Sequence, residues 1–400
     1  MVMERIANPS TGNRCIGSNP IPSAKIGSVA ERLKAAVLKT ADPQGSESSN
    51  LSASANFNKE VFMAITGINL SLSNRCNAKC IWCPTSRGTN QNYDMSFDIV
   101  KKVIDEVSET KFPYKIKMIH LSENGEALYN PDFLNIVRYI KSKLPDTALN
   151  LLSNFSLLTP EIAKSLLEEK LLSSVQVNID GHDADSYKAA KGISYNGVIK
   201  NVKSFLELRD QIDPNFDFTV NVMVAFEYAT TVNAFFGKNP DRATSDIPYS
   251  SYEDAVRTLR EFVPDNVNIS HSKSGFWAER ELASKSEHND YSKLNCPLLN
   301  RIKEEVFISP NGNWYPCCLD DNNEMSFGNV NDMTLLEMHN SEKRRVFIQN
   351  LIDKKFAENG YPCSTVLACQ TITIPKETYS QITQNYTIGS NLHIPILTKG

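Results

Sequence analysis

The chain has 400 residues, 41% of them hydrophobic and 22% charged, with a formal net charge of −4. That is enough chain for one large domain and a small one, and the mildly acidic balance gives no bulk electrostatic reason to bind nucleic acid or an anionic membrane. No apolar run approaches the ~18 residues that span a bilayer, the N-terminus lacks the apolar core of a secretory signal, and nine cysteines are too sparse for a disulfide scaffold.

Residues 1–58 are rich in Ser, Asn, Ala, Gly and Pro, as in Asp42-Pro43-Gln44-Gly45-Ser46. They are expected to be a weakly structured extension, a tail or a partner-binding arm. One helix is predicted within them, from Val29 to Thr40, and Cys15 stands there as an isolated thiol. From about residue 66 the pattern changes to alternating strands and helices. Strands are predicted over 67–72, 116–121, 147–153, 174–180, 217–225 and 267–270. Ser96 is placed to cap a helix carrying Phe97, Val100, Ile104 and Val107 on one face. Asn130-Pro131 and Thr159-Pro160 read as N-cap and first-turn pairs before two further apolar stripes. Tyr195 to Arg209 and the stretch around Ala255, Val256, Leu259 and Phe262 add two more helices, while 228–250, polar and broken by Gly237, Pro240 and Pro248, reads as an inserted loop. Such alternation argues for a parallel sheet with helices outside; periodicity alone does not separate a partial barrel from an open doubly wound sheet. Further on, Val306-Phe307-Ile308 and Trp314-Tyr315 flank Pro310-Asn311-Gly312-Asn313, a strong hairpin turn. A helical pattern follows through Leu335, Leu336 and Met338. The tail of residues 371–400 carries strand-like segments at Thr371–Thr373 and His393–Leu397 and receives no function.

The chemistry centres on Cys76-Asn77-Ala78-Lys79-Cys80-Ile81-Trp82-Cys83, directly after the first strand. Soft thiolates crowded on one loop suit an iron–sulfur cluster or zinc. Three thiolates on a four-iron cubane leave one iron without a protein ligand, as a catalytic metal site keeps an open position. A structural zinc site wants four ligands, and the nearest histidine downstream is His120. With no export signal, clustered cysteines point to metal binding in a reducing cytoplasm. Polar groups follow the strands, where ligands sit in parallel α/β folds. They are Ser122-Glu123-Asn124-Gly125-Glu126, Ser153-Asn154 and Asn178-Ile179-Asp180-Gly181, with Asn221 inside the fifth strand. Each also reads as ordinary turn and capping chemistry.

The C-x3-C-x2-C spacing, with Trp82 before the third cysteine, resembles the signature of the radical S-adenosylmethionine (radical SAM) enzymes. The resemblance implies a partial (β/α)6 barrel of parallel strands over about 60–275. It also implies a [4Fe–4S] cluster on Cys76, Cys80 and Cys83, with SAM chelating the open iron. Asn124, Gly125 and Glu126 resemble the family's Gly-Gly-Glu-Pro segment, which holds the SAM amino group, with Asn124 and Ala127 departing from the usual Gly and Pro. Ser153, Asn154, Asn178 and Asp180 fall where relatives reach the ribose and carboxylate of SAM, and Trp82 falls beside the cofactor.

Cys296, Gly312 and Cys317 resemble the opening of the SPASM/twitch extension. This implies a small β-hairpin and helix domain over about 290–370 that binds a second [4Fe–4S] cluster through Cys296, Cys317, Cys363 and Cys369. The last spacing departs from the usual close. Cys318 is expected to point away, to ligate, or to return a hydrogen atom to a substrate radical. Zinc on four cysteines is the other reading of this region. The function implied is reductive cleavage of SAM and hydrogen abstraction from a substrate C–H bond. The substrate is a small polar molecule, sugar- or aminocyclitol-like, or a peptide, and an external reductant such as flavodoxin or ferredoxin supplies electrons. A peptide- or protein-modifying maturase and a non-catalytic iron–sulfur or zinc protein are the other readings.

Overall fold

The computed structural model describes residues 63–87, 93–237, 239–240, 244–272, 295–320 and 325–364. The helix expected over 29–40, Cys15, Cys369 and the strands expected beyond 370 lie outside them.

Six parallel strands are β1 (Gly67–Leu70), β2 (Met118–His120), β3 (Ala148–Ser153), β4 (Ser174–Asn178), β5 (Asp217–Val222) and β6 (Asn268–His271). Three more, β7 (Glu305–Ile308), β8 (Asn313–Tyr315) and β9 (Gly328–Asn329), join the same sheet, whose order is β6-β5-β4-β3-β2-β1-β7-β8-β9. The hairpin is therefore an extension of the barrel sheet: β7 runs parallel to β1, with Asn69 opposite Phe307, and β8 returns antiparallel. Gly312 makes that reversal in the left-handed region at φ +87°.

The helices are α1 (Phe97–Ser108), α2 (Phe133–Lys143), α3 (Pro160–Glu168), α4 (Ala184–Lys191), α5 (Tyr195–Ile212), α6 (Ala225–Phe236), α7 (Tyr252–Arg260), α8 (Leu299–Glu304), α9 (Leu335–His339) and α10 (Glu342–Ile352). Ser96 and Thr159 cap α1 and α3 through their side chains, as their sequences predict. Asn130 does not cap α2. Its side chain accepts from the Asp132 amide and donates to the Leu72 and Met95 carbonyls, so it ties a turn to the sheet and the helix begins three residues later. The loop expected over 228–250 is corrected in its first part, because α6 runs to Phe236. Its Thr and Asn content hides the helix, but Tyr228, Ala229 and Val232 are buried at helical spacing.

One face of the sheet is apolar and covered. Ile68, Ile119, Leu149, Val175 and Val220 are buried with Val100, Ile136, Leu166 and Val202 of the helices, and Phe218 stacks on Phe205 of α5 at 5.3 Å. The opposite face is polar: Asn69, His120 and Asn150 lie side by side across β1–β3, and Asn178, Asn221 and Ser270 across β4–β6. Parallel sheets are normally apolar on both faces. Here the second face lines an open partial barrel, and Met118 and Leu152 on it remain 37% and 39% exposed.

Candidate metal-cluster site

The cysteine loop is fixed before it reaches its first thiol. Ser73 and Arg75 both donate to the Asp94 carboxylate, and the Arg75 guanidinium lies 4.4 Å from the centre of the Tyr129 ring. From the other side comes the turn after β2. Gly125 adopts φ +95°, and a Cβ there would sit 2.2 Å from the Ser73 carbonyl oxygen. Only glycine tolerates both demands. The next amide, Glu126 N–H, donates to the Arg75 carbonyl at 2.8 Å.

The far half of the loop rests on α4. Lys79 and Ile81 donate their amides to the carbonyls of Lys191 and Ala190, at 2.7 and 3.1 Å. These carbonyls belong to the last turn of the helix, which lacks partners of its own, and Gly192 closes it in the left-handed region. Ile81 and Trp82 then pack with Ala190, Ala225, Tyr228 and Val232. The Trp82 ring thus lies edge-on to Tyr228 at 6.0 Å, in an apolar nest against α4 and α6.

Burial pushes the Cys76 thiol up to about 11 and raises Cys80 further; Cys83 adds to both, and Cys76 adds to Cys80. Iron would deprotonate such thiols on binding. The Asn154 amide nitrogen lies 3.8 Å from Cys76 Sγ and also donates to the Asn77 side chain. Among the described residues no three His, Cys, Asp or Glu side chains converge on a single metal ion. Soft thiolates on one loop are the donor type that an iron–sulfur cluster takes.

The expected SAM-side residues separate into two groups. Glu126 is 3% exposed and accepts from Ser153 Oγ at 2.7 Å, from the Asn154 amide at 2.8 Å and from the Leu128 amide at 3.3 Å. A carboxylate has about four acceptor sites, so most of this one is occupied in joining the ends of β2 and β3. Burial raises its carboxyl above the usual range. Asn124 is buried beside it. Asp180, buried, pairs with the Lys191 ammonium at 2.8 Å and accepts from the Met223 amide. Burial opposes the Lys191 ammonium, but Asp180, Tyr187 and Cys80 together outweigh it and hold the charge. Asn178 accepts from Asn221, which in turn accepts from Ser270 and Ser272, a chain of side chains across the polar face.

Cys363 lies close enough to Cys296 to feel it electrostatically, and Cys317 and Cys363 are buried in the apolar core. Burial lifts the Cys363 thiol to about 12, and the nearby Cys296 adds to it. Cys318 belongs to other company. Burial, then Glu123, lift its thiol to about 12, and Arg301 opposes them. Arg301 holds Glu305 through two nitrogens and reaches Asn69 and Glu123, each at 3.1 Å. Burial raises Glu123 to about 7 despite that guanidinium. The sequence does not single out Lys191, Arg301 or Glu305. Lys191-Gly192 carries the mark of a helix end, and Arg301 with Glu305 is an i,i+4 pair, but neither signal distinguishes a site residue from a surface one.

Three half-buried thiols thus sit on one loop clamped at the carboxyl ends of the parallel strands of an α/β fold. The model of the radical SAM superfamily matches residues 70–226, and that of SPASM, an iron–sulfur cluster-binding domain, matches 296–370. Residues 70–226 are thus a radical SAM superfamily domain, and residues 296–370 are a SPASM region. The chain's cofactors are a [4Fe–4S] cluster, SAM and further iron–sulfur in that region. Among curated proteins it is similar to the tungsten-containing aldehyde ferredoxin oxidoreductase cofactor-modifying protein of Pyrococcus furiosus, 34% identical over 99 residues, which is 25% of this chain and 26% of that one. It is also similar to GTP 3',8-cyclase of Petrotoga mobilis, 24% identical over 146 residues, 36% of this chain and 44% of that one. The matches thus span less than half of either relative. Among solved structures, BtrN in complex with AdoMet and 2-DOIA is 14% identical with a TM-score of 0.48, over 78% of this chain and 96% of that one. Native anSMEcpe with bound AdoMet and Cp18Cys peptide is 15% identical with a TM-score of 0.49, over 80% and 96%. Among the described residues no helix is long and apolar enough to cross a membrane.

Proposed function

We propose that Cys76, Cys80 and Cys83 hold the SAM-binding cluster, and that the chain uses it to remove a hydrogen atom from a C–H bond of a small polar substrate. The observation that carries this reading is the cysteine loop itself, fixed by Gly125 on one side and by the end of α4 on the other, above a polar sheet face. Held by these three thiolates, a reduced [4Fe–4S] cluster with SAM bound would supply one-electron reductive cleavage of SAM and, through it, hydrogen-atom abstraction from the substrate. Gly125, Glu126, Asn124, Ser153 and Asn154 shape the wall beside the first thiol; Asn178 and Asp180 shape the wall beyond Cys80. Cys296, Cys317 and Cys363, with Cys369, hold the second cluster and make net oxidation or another C–H modification the favoured outcome. An external reductant such as flavodoxin or ferredoxin is required.

Side-chain amides and hydroxyls on the polar face (Asn150, Gln176, Asn178 and Ser270, all partly exposed) suit a sugar- or aminocyclitol-like molecule dense in hydrogen-bonding groups. A peptide is the second substrate reading, favoured by the exposed Met118 and Leu152 on the same face, which would meet an apolar side chain.

Iron and acid-labile sulfide after anaerobic reconstitution test the assignment. Roughly eight irons per chain are expected for two clusters. Roughly four would leave the second site to zinc, and zinc without iron would defeat the radical chemistry. With SAM and a reductant, deoxyadenosine should form in the wild type and vanish in Cys80→Ala. Its absence from the iron-loaded wild type would favour a non-catalytic electron carrier.

A further inference from the structure

Arg301 is clamped on the polar face of the sheet, where β7 joins β1. Its Nε donates to both carboxylate oxygens of Glu305, at 3.1 and 3.0 Å, and its Nη2 adds a contact at 2.9 Å. Asn69 braces the pair from β1. Its amide nitrogen donates to Glu305 at 2.8 Å, and its amide oxygen accepts from Arg301 at 3.1 Å. The guanidinium also lies 5.1 Å from the centre of the Phe307 ring. Arg301 and Glu305 thus form a pair of opposite charges held in one position.

Glu123, after β2, is left over. It reaches only Arg301 Nη2, at 3.1 Å, through Oε1. That nitrogen carries two hydrogens and already serves Asn69 and Glu305. The second oxygen, Oε2, accepts nothing among the described residues, although the side chain is only 11% exposed. Two carboxylates therefore share one guanidinium, and a buried charge normally has a partner of its own. Among the described residues no ion pair joins Glu123 to a second cation. The raised Glu123 carboxyl agrees with that shortage of positive charge.

The position suits a ligand. Arg301 Nη2 touches Asn69 and Glu123 alike, so the Glu123 carboxylate stands over the polar face, beside the row of Asn69, His120 and Asn150. It lies at the carboxyl end of a parallel strand, two residues before Gly125, which abuts the cysteine loop. Arg301 Nη1 makes no hydrogen bond among the described residues, and the side chain is 36% exposed. Its two N–H donors lie in the same plane as Nη2, which carries the Glu123 contact. One unit thus offers an under-served carboxylate oxygen and a pair of free donors.

We propose that Glu123 receives a protonated amine of the substrate and Arg301 Nη1 an oxygen on the neighbouring carbon, so that the substrate is a vicinal amino alcohol. The inference rests on the function proposed above and narrows its substrate class. The ammonium supplies the missing positive charge and favours the ionised carboxylate. A plain polyol brings no charge to Glu123, and a lysyl side chain of a peptide brings no oxygen to Arg301.

The test is equilibrium dialysis of the full-length reconstituted protein, with SAM, at neutral pH. The radiolabelled probes are a vicinal aminocyclohexanol, the corresponding cyclohexanediol and butylamine. The first two differ only in an ammonium for a hydroxyl. Wild type is expected to bind the amino alcohol about tenfold tighter than the diol and about threefold tighter than butylamine. In Glu123→Gln the advantage over the diol should vanish. EPR of the same wild-type samples shows whether the cluster responds to SAM. With a responding cluster, equal binding of amino alcohol and diol, or binding of neither, overturns this inference alone, whether or not the variant folds. A preference for the amino alcohol that survives Glu123→Gln overturns it too. Butylamine binding as tightly as the amino alcohol overturns the Arg301 contact and gives the amine to a peptide. A wild-type cluster that does not respond to SAM overturns the proposed function and this inference with it.

Discussion

The two groups of cysteines are assembled in opposite ways. Cys76, Cys80 and Cys83 are neighbours in sequence, and the fold's task is to immobilise a single loop. It does so with backbone contacts: Gly125 against Ser73, Glu126 N–H to Arg75, and Lys79 and Ile81 to the end of α4. Cys296, Cys317 and Cys363 are distant in sequence and are carried on the hairpin and helices that follow the barrel strands. Buried charge follows the same division. Beside the first group the Lys191 ammonium has a carboxylate partner in Asp180. Near the second, Arg344 is fully buried, donates to the carbonyls of His339, Ile302 and Lys303, and lies 5.5 Å from the Trp314 ring centre. Burial lowers that guanidinium to about 10. The lesson is that the first site depends on a few precise contacts, whereas the second depends on the packing of a whole subassembly.

The comparison is broken most sharply at Lys191. Replacing it with Met strands the Asp180 carboxylate in a buried position, and loss of one partner of a buried pair typically costs about 3–5 kcal/mol. Urea unfolding of Lys191→Met should show that loss, and Lys191→Met with Asp180→Asn should regain part of it. If the single variant is as stable as wild type, the pair does not brace the loop. Next comes Gly125→Ala. Its Cβ has no room against the Ser73 carbonyl and its φ is unfavourable, so about 2–3 kcal/mol of destabilisation is expected, with reduced iron uptake. The equivalent change at Gly360, φ +73° but with nothing within 4 Å of its Cβ, should be milder and leave iron content alone.

Much of the first site was legible because it is local. The x3 and x2 cysteine spacing, the strand before it and the glycine after β2 are all written in short stretches. The strands and most helices were legible for the same reason, since each carries its own apolar period. What escaped was non-local. Nothing in Lys191 says that its ammonium meets Asp180, eleven residues earlier and on another element. Nothing in Glu305 or Arg301 says that β7 will pair with β1 and bring both beside Glu123. Asn130 was misread as a helix cap because its alternative partners, the Leu72 and Met95 carbonyls, are far away in sequence. Glu126 shows the converse: its motif was legible, but not that Ser153 and Asn154 would occupy its carboxylate.

The seam between the two regions gives a pH-dependent test. Burial raises the Glu123 carboxyl from an ordinary 4.5 to about 7. Folding therefore takes up a proton between those values. This group's contribution to stability is fully present below about pH 4.5 and lost as pH rises through 7. Of order 2 kcal/mol is at stake, discounting the full shift for the side chain's residual exposure. Wild type should be less stable at pH 8 than at pH 5.5 by about 1 kcal/mol relative to Glu123→Gln, the part of that margin that falls in this window, in chemical denaturation at both pH values. Parallel curves for the two proteins would place Glu123 in water.

The smallest expected effect lies in the second region. Glu106 of α1 accepts from the Leu335 and Leu336 amides, at 2.8 and 3.0 Å, so a barrel helix caps the first turn of α9. Thr334 and Glu337 already form a capping box at that terminus, which leaves these two amides to Glu106. A carboxylate is favoured there both by the amide donors and by the helix dipole. Glu106→Gln keeps the size and one acceptor but removes the charge, so about 1 kcal/mol of stability should be lost. If the C-terminal region depends on the packing of its parts, that loss should loosen α9 and speed hydrogen exchange at Leu335, Leu336 and Met338, with exchange in the Cys76–Cys83 loop unchanged. Equal acceleration in both places would mean that the two regions open as one unit, and that the division between a clamped loop and a packed subassembly does not describe how this protein yields.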